Sequence, residues 1–523
     1  MFRSRWLALV ILCTASLMII LDGTIVTVAL PTIQADLGFS ASRLSWVMNA
    51  YLIAFGGLLL LSGRLGDLVG RKRMFLLGIT VFVLASLACG LAAGPAMLIT
   101  ARFVQGAGAA MVSAVSLGMI ARLFDQPAGR NRAIGGFAFT GAVGASAGLV
   151  AGGLLVQYAS WHWIFFVNLP VGLATGLAGW QVLAADRGLG LRAGADVLGA
   201  LLATAAVMLG VFAIADRGYW WAGLIAAALL AGFAVRQATA QTPLLPPRVL
   251  ASRTVSGANL AQLLVIGAAI GFQVIVTLYM QRALGYRPAE AGLGLFPVAG
   301  VIAAVSLGLS ARLTSRFGAR RLLLGGLLLI TAALALLTRI PAHAGYMTWL
   351  LPVLVLFGAG GGLTLPAVTA LGMSEATDAD AGVISGMFNT AQQVGGALGL
   401  ALLTSLAAWR TGSGASAQAL TSGYQLAFGA GAGLAAASIV VAAVALRPRP
   451  ARRAGRVSPA GGISPSGDVT PSVGLSHAGR PGHADTVSHA DTVSMDGAAA
   501  VPVTGDVDLV GAADRAEDAP AVA

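Results

Sequence analysis

The sequence is poor in charge. Only 10% of its 523 residues are Asp, Glu, Lys or Arg, against 57% hydrophobic, which is too little polar surface for a soluble protein of this length. Lysine is nearly missing: Lys72 is the one lysine among 32 basic residues. Cysteine is limited to Cys13 and Cys89, both inside apolar runs, so neither a disulfide framework nor a cysteine metal cluster is indicated. Phosphate-binding glycine loops, zinc-ligand spacings and a Ser, His and Asp set are all missing. No catalytic residue, cofactor or metal site is therefore expected. His162 and His343 fall at helix ends, where a solvated surface suits them. The net charge of +12 does not argue for nucleic acid, because the arginines sit in short segments between apolar runs, as topology signals do.

What the chain does have is length of apolar sequence, with a mean hydropathy of +0.85. Crossing a bilayer takes about 20 apolar residues, and fourteen runs qualify: 6–30, 44–61, 74–93, 97–117, 133–158, 163–183, 197–215, 220–235, 255–278, 291–309, 322–337, 346–365, 383–407 and 426–446. The first is not a signal peptide, since it continues through Asp22 to an end at Leu30-Pro31 without a small-residue cleavage site. The fold expected is an all-α membrane protein of two six-helix bundles, 1–188 and 253–446, with two inserted helices and a linker at 189–252. Residues 447–523 turn to Pro, Gly, Ser, Ala and Asp, with His-Ala-Asp-Thr-Val-Ser twice in tandem at 483–494. That composition predicts a disordered tail.

The two bundles are a degenerate duplication. Gly63-Arg64-Leu65-Gly66-Asp67-Leu68-Val69-Gly70-Arg71-Lys72-Arg73 returns about 250 residues later as the stretch 311–321, where Arg312, Leu313 and Gly318 repeat Arg64, Leu65 and Gly70, and Ser315 stands for Asp67. Gly106-Ala107-Gly108 returns as Gly358-Ala359-Gly360, and Thr140 as Thr390. An even number of helices per repeat keeps both copies in one orientation, related by an axis along the membrane normal. The 63–73 stretch is expected to be a tight loop, its glycines turning the backbone. With both termini cytoplasmic, Arg43, Arg217, Arg282, Arg287, Arg339 and Arg410 lie outside and the remaining loop arginines inside, which satisfies the positive-inside rule. The acidic stretch 375–380 counts little for topology.

Asp22 is the one carboxylate well inside an apolar run. A bare charge there costs several kcal/mol by insertion scales, roughly 2.5–3.5 at a helix centre, so it must pair, protonate or face water. It is either a proton or cation site or a carboxylate held by hydrogen bonds. Arg102 lies in the fourth run with Gln105 on its face; it acts in function or ties helices together, and an Asp22–Arg102 pair is open to it. Gly141, Gly144, Gly148 and Gly152 form a stripe without side chains, suited to close helix packing or to motion. Asn259, Gln262, Gln273 and Thr277 share one helix face, as do Ser385, Asn389, Gln392 and Gln393, and Ser45 with Asn49. These stripes line a cavity or hydrogen-bond between helices.

These motifs resemble the major facilitator superfamily, in its fourteen-helix drug:proton antiporter branch. The 63–73 stretch is similar to the superfamily signature between helices two and three, with Leu68 replacing a common Arg. Leu21-Asp22-Gly23-Thr24-Ile25-Val26-Thr27-Val28-Ala29-Leu30-Pro31 resembles the branch's first-helix motif, with Thr27 where Asn is usual. Arg102-Phe103-Val104-Gln105-Gly106-Ala107-Gly108 is similar to the fourth-helix motif. Gly148-Leu149-Val150-Ala151-Gly152-Gly153 keeps the fifth-helix antiporter motif in part, with Leu149 for Pro. Trp161-His162-Trp163-Ile164-Phe165-Phe166-Val167-Asn168-Leu169-Pro170 resembles the next signature, with His162 for Arg.

The resemblance covers residues 6–446. It implies a monomeric efflux transporter of the cytoplasmic membrane that exchanges protons for amphipathic organic compounds by alternating access. It further implies proton coupling at Asp22 and Arg102, and a gating loop of Gly63, Asp67, Gly70 and Arg71. In the family the Asp67 position meets the thirteenth helix near Gly382. Helix packing and antiport fall to Gly144, Gly148, Gly152 and Gly153, and the substrate cavity to Asn49, Gln105, Asn259, Gln262, Gln273, Asn389, Gln392 and Gln393. The rival readings are proton-coupled uptake or a narrow metabolite carrier, and a non-transporting receptor or scaffold. Counterflow in liposomes separates the last from any carrier.

Overall fold

The computed structural model describes residues 2–40, 43–124, 127–186, 188–190, 194–215, 217–241, 243–245, 247–375, 381–412 and 416–446. The tail from 447 with its hexapeptide repeat, and the acidic residues 376–380, lie outside the described residues. Met1–Pro450 form one compact unit.

Fourteen long helices build it: α1 Phe2–Leu37, α2 Trp46–Val69, α3 Arg71–Gly90, α4 Pro95–Leu123, α5 Pro127–Tyr158, α6 Trp163–Val182, α7 Val197–Ala215 and α8 Trp220–Thr239. The second set is α9 Arg253–Ala283, α10 Pro288–Phe317, α11 Ala319–Leu337, α12 Tyr346–Gly372, α13 Ala381–Thr411 and α14 Ala417–Ala445. Among the described residues thirteen of these are long and apolar enough to cross a membrane; α5, 32 residues long, has its described apolar stretch at Val143–Tyr158. The near end of the helix assembly is the end carrying the α2–α3 and α10–α11 turns; the far end carries the α1–α2 and α9–α10 connections.

Several helices run past the apolar runs that announced them. α1 does not stop at Pro31 but continues to Leu37, ending where Gly38 takes φ 68°. Proline forfeits one helical hydrogen bond, and the burial of Ile25, Val26, Val28, Ala29, Leu30 and Ile33 holds the helix through it. The 63–69 stretch is likewise helical rather than a loop. Gly63 and Gly66 let α2 approach α4, at Ala114 and Val115, and only Gly70, at φ 106°, turns the chain. Gly318, at φ 82°, turns the repeat copy in the same way.

The duplication is physical as well as sequential. A Cβ on Gly108 of α4 would come within 2.6 Å of the Phe82 backbone nitrogen and 2.9 Å of the Gly78 carbonyl on α3. A Cβ on Gly360 of α12 would come within 2.9 Å of the Ile330 nitrogen and 2.7 Å of the Gly326 carbonyl on α11. Gly106 packs on α2 at Tyr51, and Gly358 on α10 at Val298 and Val301. Gly144, Gly148 and Gly152 seat α5 on Leu17, Ile20, Leu21, Thr24 and Ile25 of α1; in the second bundle Gly395 and Gly399 of α13 meet Leu263 and Gly267 of α9. Without a hydrophobic drive between helices in lipid, backbone approach of this kind is what holds a bundle together.

α7 lies on the α2–α13 seam, with Thr204 against Gly57, whereas α8 packs chiefly on α7. Trp220, Leu224, Leu230 and Val235 of α8 are exposed, an apolar surface of the kind that faces lipid. The bundles meet at the far end, where Gln281 Nε2 donates to the Val28 carbonyl at 3.0 Å, Arg282 donates to Gln34 Oε1, and the Ala289 amide donates to Gln157 Oε1 at 3.3 Å. They meet again along α2 and α13, where Thr390 Oγ1 donates to the Gly56 carbonyl at 3.1 Å.

Gly108→Ala and Gly360→Ala should each destabilise the protein, because the added methyl meets backbone that cannot rotate away. Overpacking of this kind costs about 1–3 kcal/mol, of which alanine's helix propensity returns at most ~1 kcal/mol. Gly300→Ala, where a Cβ meets nothing within 4 Å, should be neutral or slightly stabilising. Thermal unfolding of the purified protein in detergent checks this, and equal melting temperatures for all three would refute the packing assignment.

Candidate functional site

Asp22 sits in the middle of α1, 0% exposed, and Arg102 of α4 reaches it with 1% exposure. Arg102 Nη1 lies 2.6 Å from Asp22 Oδ2. An ionised carboxylate can only accept hydrogen bonds, so the amide nitrogens of its neighbours must face it. Gln105 Nε2 and Asn168 Nδ2 both donate to Asp22 Oδ1, each at 2.8 Å. Arg102 in turn donates Nη1 to Gln105 Oε1 at 2.8 Å and Nε to the Val47 carbonyl at 3.0 Å, and its guanidinium lies 4.2 Å from the centre of the Tyr51 ring.

The outer members close the network. Ser86 Oγ accepts from Gln105 Nε2 at 3.1 Å and Asn168 Nδ2 at 3.0 Å, and donates to the Phe165 carbonyl at 2.9 Å. Cys89 Sγ points at Gln105 Oε1 from 3.6 Å, and the Tyr51 hydroxyl donates to the Ile19 carbonyl at 3.2 Å. Five helices, α1, α2, α3, α4 and α6, thus converge on one carboxylate. Desolvating two ions is offset only when their remaining hydrogen-bonding groups are met as well, and here both Asp22 oxygens and the Nε and Nη1 of Arg102 are.

Of the residues expected in the site, Asp22 and Arg102 come together, and Gln105 belongs to the carboxylate's own shell rather than to a cavity wall. Ser86 and Asn168 carry no role from sequence reasoning, although Asn168 stands in the 161–170 motif. A lone Asn in an apolar helix is the signal for it, and nothing distinguishes Ser86.

The other amides lie toward the second bundle. Gln262 Nε2 of α9 faces Gln392 Oε1 of α13 at 3.4 Å, while Asn259 and Asn389 each donate back to their own helix, to the Val255 and Ser385 carbonyls. Gln273 and Gln393 are half-buried, and a Cβ on Gly56 would meet Gln393. Asn49 of α2 is fully buried and neither amide atom has a hydrogen-bond partner among the described residues. A cavity of about 90 Å³ lies toward the far end between α1, α2, α9, α13 and α14, walled by Leu30, Ser45, Leu278, Arg282, Thr404 and Tyr424.

At the near end the Asp67 carboxylate accepts from Arg71 Nη2 at 2.9 Å and Nε at 3.2 Å, and Arg71 Nη1 donates to the Gly118 carbonyl at 2.9 Å. Gly382, near which the motif directs Asp67, lies in the first turn of α13; residues 376–380 before it lie outside the described residues. The segment after α6 clasps this turn. Asp186 accepts from the amides of Arg71 and Lys72 at 3.0 and 3.2 Å, capping α3, and the amides of Leu189 and Gly190 donate to the Asp67 and Leu68 carbonyls at 2.9 and 3.0 Å. These bonds satisfy the groups that a helix end leaves open. Asp196 similarly caps α7 through the Gly199 amide and receives Arg236 and Gln237 of α8. Burial raises its carboxyl, and these donors outweigh burial and hold it below the usual value. An acid immediately before an apolar run is a helix-start signal, and it marks Asp196.

The sequence profile of the Major Facilitator Superfamily matches residues 12–400. The chain is 39% identical over 416 residues to the puromycin resistance protein pur8 of Streptomyces alboniger, covering 78% of this chain and 82% of that one. It is 38% identical over 420 residues to the cephamycin export protein CmcT of Amycolatopsis lactamdurans, covering 78% and 85%. Its fold is similar to the crystal structure of a bacterial homologue of the human lysosomal transporter Spinster in an inward-facing, occupied conformation. There the TM-score is 0.62 at 16% identity, over 85% of this chain and 98% of that one.

The clasp yields a pH prediction. Burial raises the Asp186 carboxyl, but the Arg71 and Lys72 amides and the Arg122 guanidinium outweigh it, so it lies below its ordinary value of 3.8. A depressed carboxylate contributes stability above its unfolded value and loses it as pH falls through the folded one. Amide-exchange protection at Leu189 and Gly190 should therefore hold from neutral pH down to about 4 and fall below it. At neutral pH Asp186→Ala should cut that protection about 2- to 30-fold, the equivalent of losing a helix cap worth ~0.5–2 kcal/mol. Unchanged protection in the variant would dissolve the clasp.

Proposed function

Because the chain belongs to the major facilitator superfamily, we propose that it is an exporter of amphipathic small organic compounds, antibiotics among them, driven by inward proton flow. It is a carrier without enzymatic chemistry, acting as a monomer in the cytoplasmic membrane with both termini in the cytoplasm, so the near end is the cytoplasmic one. The single observation that carries the reading is the closed network around Asp22 and Arg102. A satisfied ion pair deep in an apolar bundle is neutral overall, and one added proton leaves a buried uncompensated charge. Such a pair responds to protonation with a rearrangement rather than a small adjustment.

The remaining parts take roles around it. Two bundles of like orientation rock about a midplane site, and the amides of Asn49, Asn259, Gln262, Gln273, Asn389, Gln392 and Gln393 supply hydrogen bonds along the path between them. The α5 glycines, Gly144, Gly148, Gly152 and Gly153, let α5 slide on α1 and meet α10. Asp67 and Arg71, beside the hinge at Gly70, control closure at the cytoplasmic end. The resistance and export functions in the relatives' names support the outward direction.

Asp22→Asn should abolish uphill transport, since an amide neither gains nor loses a proton. Binding and exchange should persist, because the neutral amide still fits the site. Proteoliposomes with an imposed pH gradient, probed with puromycin and ethidium, read both quantities; uphill movement by the variant would place the proton site elsewhere. Cysteine labelling tests orientation: a thiol at residue 3 should be shielded from an impermeant reagent in intact cells, and one at Arg339 should react. The reverse pattern would invert the topology and the direction of transport with it.

A further inference from the structure

The two oxygens of Asp22 are not equivalent. Oδ1 receives two amide N–H groups, from Gln105 and Asn168, and Oδ2 receives the Arg102 guanidinium. The amides are themselves fixed. Gln105 is held through Oε1 by Arg102, and both amide nitrogens rest on Ser86, whose own hydrogen goes to the Phe165 carbonyl. None of these groups can turn an acceptor toward Oδ1 without breaking several bonds inside a fully buried site. We propose that Asn168 is a positioning residue that, together with Gln105, fills both lone pairs of Asp22 Oδ1 and so reserves Oδ2 as the oxygen at which proton and arginine exchange.

The step balances simply. A proton from water forms an O–H bond at Oδ2, the Arg102 Nη1–H to Oδ2 hydrogen bond breaks, and Arg102 stays charged, keeping Gln105 Oε1 and the Val47 carbonyl. Loss of the proton reverses it. Oδ2 keeps one open lone pair, and protonation there turns it into an uncharged hydroxyl oxygen that accepts poorly, so each protonation releases the ionic bond that ties α4 to α1. Without Asn168, Oδ1 has a free lone pair, and a proton can settle there while Arg102 remains on Oδ2. Protonation would then no longer move the arginine. The other titratable groups about Asp22 are Tyr51 of α2 and Cys89 of α3; neither donates to its oxygens among the described residues.

This inference rests on the proton-coupled reading above, and the experiment separates the two. In pH-difference infrared spectra of the purified protein, a protonated-carboxyl band lost in Asp22→Asn belongs to Asp22 and needs no substrate to be seen. Asn168→Leu keeps the volume and removes the donor. Its Asp22 band should move to higher frequency, because the Oδ1 carbonyl has lost one of its two donors. In proteoliposomes it should keep puromycin or ethidium counterflow while uphill transport falls about tenfold, the order of one lost hydrogen bond to a charged group. Ser86→Ala, a milder change that loosens both amides, should shift the band in the same direction by less, and it serves if Asn168→Leu does not fold. A band and a coupling ratio unmoved in the folded variants, with the wild type coupled, overturn the role of Asn168 alone. Absence of an Asp22 band in the wild type overturns the proton reading and this inference together.

Discussion

The ionic bond between Asp22 and Arg102 constrains everything around it. At 0% and 1% exposure neither charge is solvated, and removing one partner of such a pair costs about 3–5 kcal/mol. The surrounding helices are therefore placed to serve it. α2 offers the Val47 carbonyl and the face of Tyr51, α3 offers Ser86, and α6 offers Asn168, each from a different angle. The glycines at 106 and 108 follow from the same need. Arg102 can reach α1 and α2 from α4 only if α4 lies almost backbone to backbone against its neighbours, as Gly106 on Tyr51 and Gly108 on Phe82 allow.

The second bundle repeats that geometry without the charge. Gly358 and Gly360 bring α12 against α10 and α11 as their counterparts do in the first, yet α12 carries no arginine and α9 no carboxylate. The buried polar groups of the second bundle are amides and hydroxyls, and the Asn259 and Gln262 side-chain oxygens have no hydrogen-bond partner among the described residues. The near-end turns differ in the same sense. Among the described residues Ser315 donates to the Arg312 carbonyl and a Cβ at Gly318 would meet nothing within 4 Å, while Gly70 lies against Asp186. The segment that leads into α7 follows the first copy and clasps its turn. The scaffold is present twice, and among the described residues the buried ion pair stands in the first copy.

How much of this can be read from the sequence depends on how loudly each residue departs from its surroundings. Fourteen helices and the duplication are legible because apolar length and glycine spacing are strong signals. Asp22 and Arg102 stand out as ions in apolar runs. Helix ends are less legible: Pro31 and the 63–69 stretch look like breaks, and tertiary packing carries the helix through both. Gln105 looks like a cavity residue because sequence gives its helix face and not the depth of the neighbouring carboxylate. Ser86 and Asp186 are silent, and Asn168 nearly so, for one reason. Asn and Ser are tolerated in any membrane helix and Asp in any loop, so their meaning arises only from partners 80 to 150 residues distant, such as Asn168 on Asp22 and Asp186 on Arg71.

Depth also decides which carboxylate can drive a conformational change. Asp67 is 42% exposed and its pair with Arg71 lies only four residues along the chain; pairs of that kind contribute about 0–1 kcal/mol, which changes a two-state ratio by less than tenfold. Asp186 and Asp196 hold helix ends in place, and neither is the centre of a closed network. Asp22 differs in that its ionic partner is buried with it: Arg102 is 1% exposed, whereas Arg236, the partner of the equally buried Asp196, is 41% exposed. Neutralising it strands Arg102, and a penalty of about 3–5 kcal/mol approaches the ~5.5 kcal/mol that carries a two-state equilibrium from one side to the other. On the proposed reading a single proton at Asp22 would be nearly sufficient to reverse the preference of the whole bundle, whereas the near-end pair would only adjust the rate at which it closes.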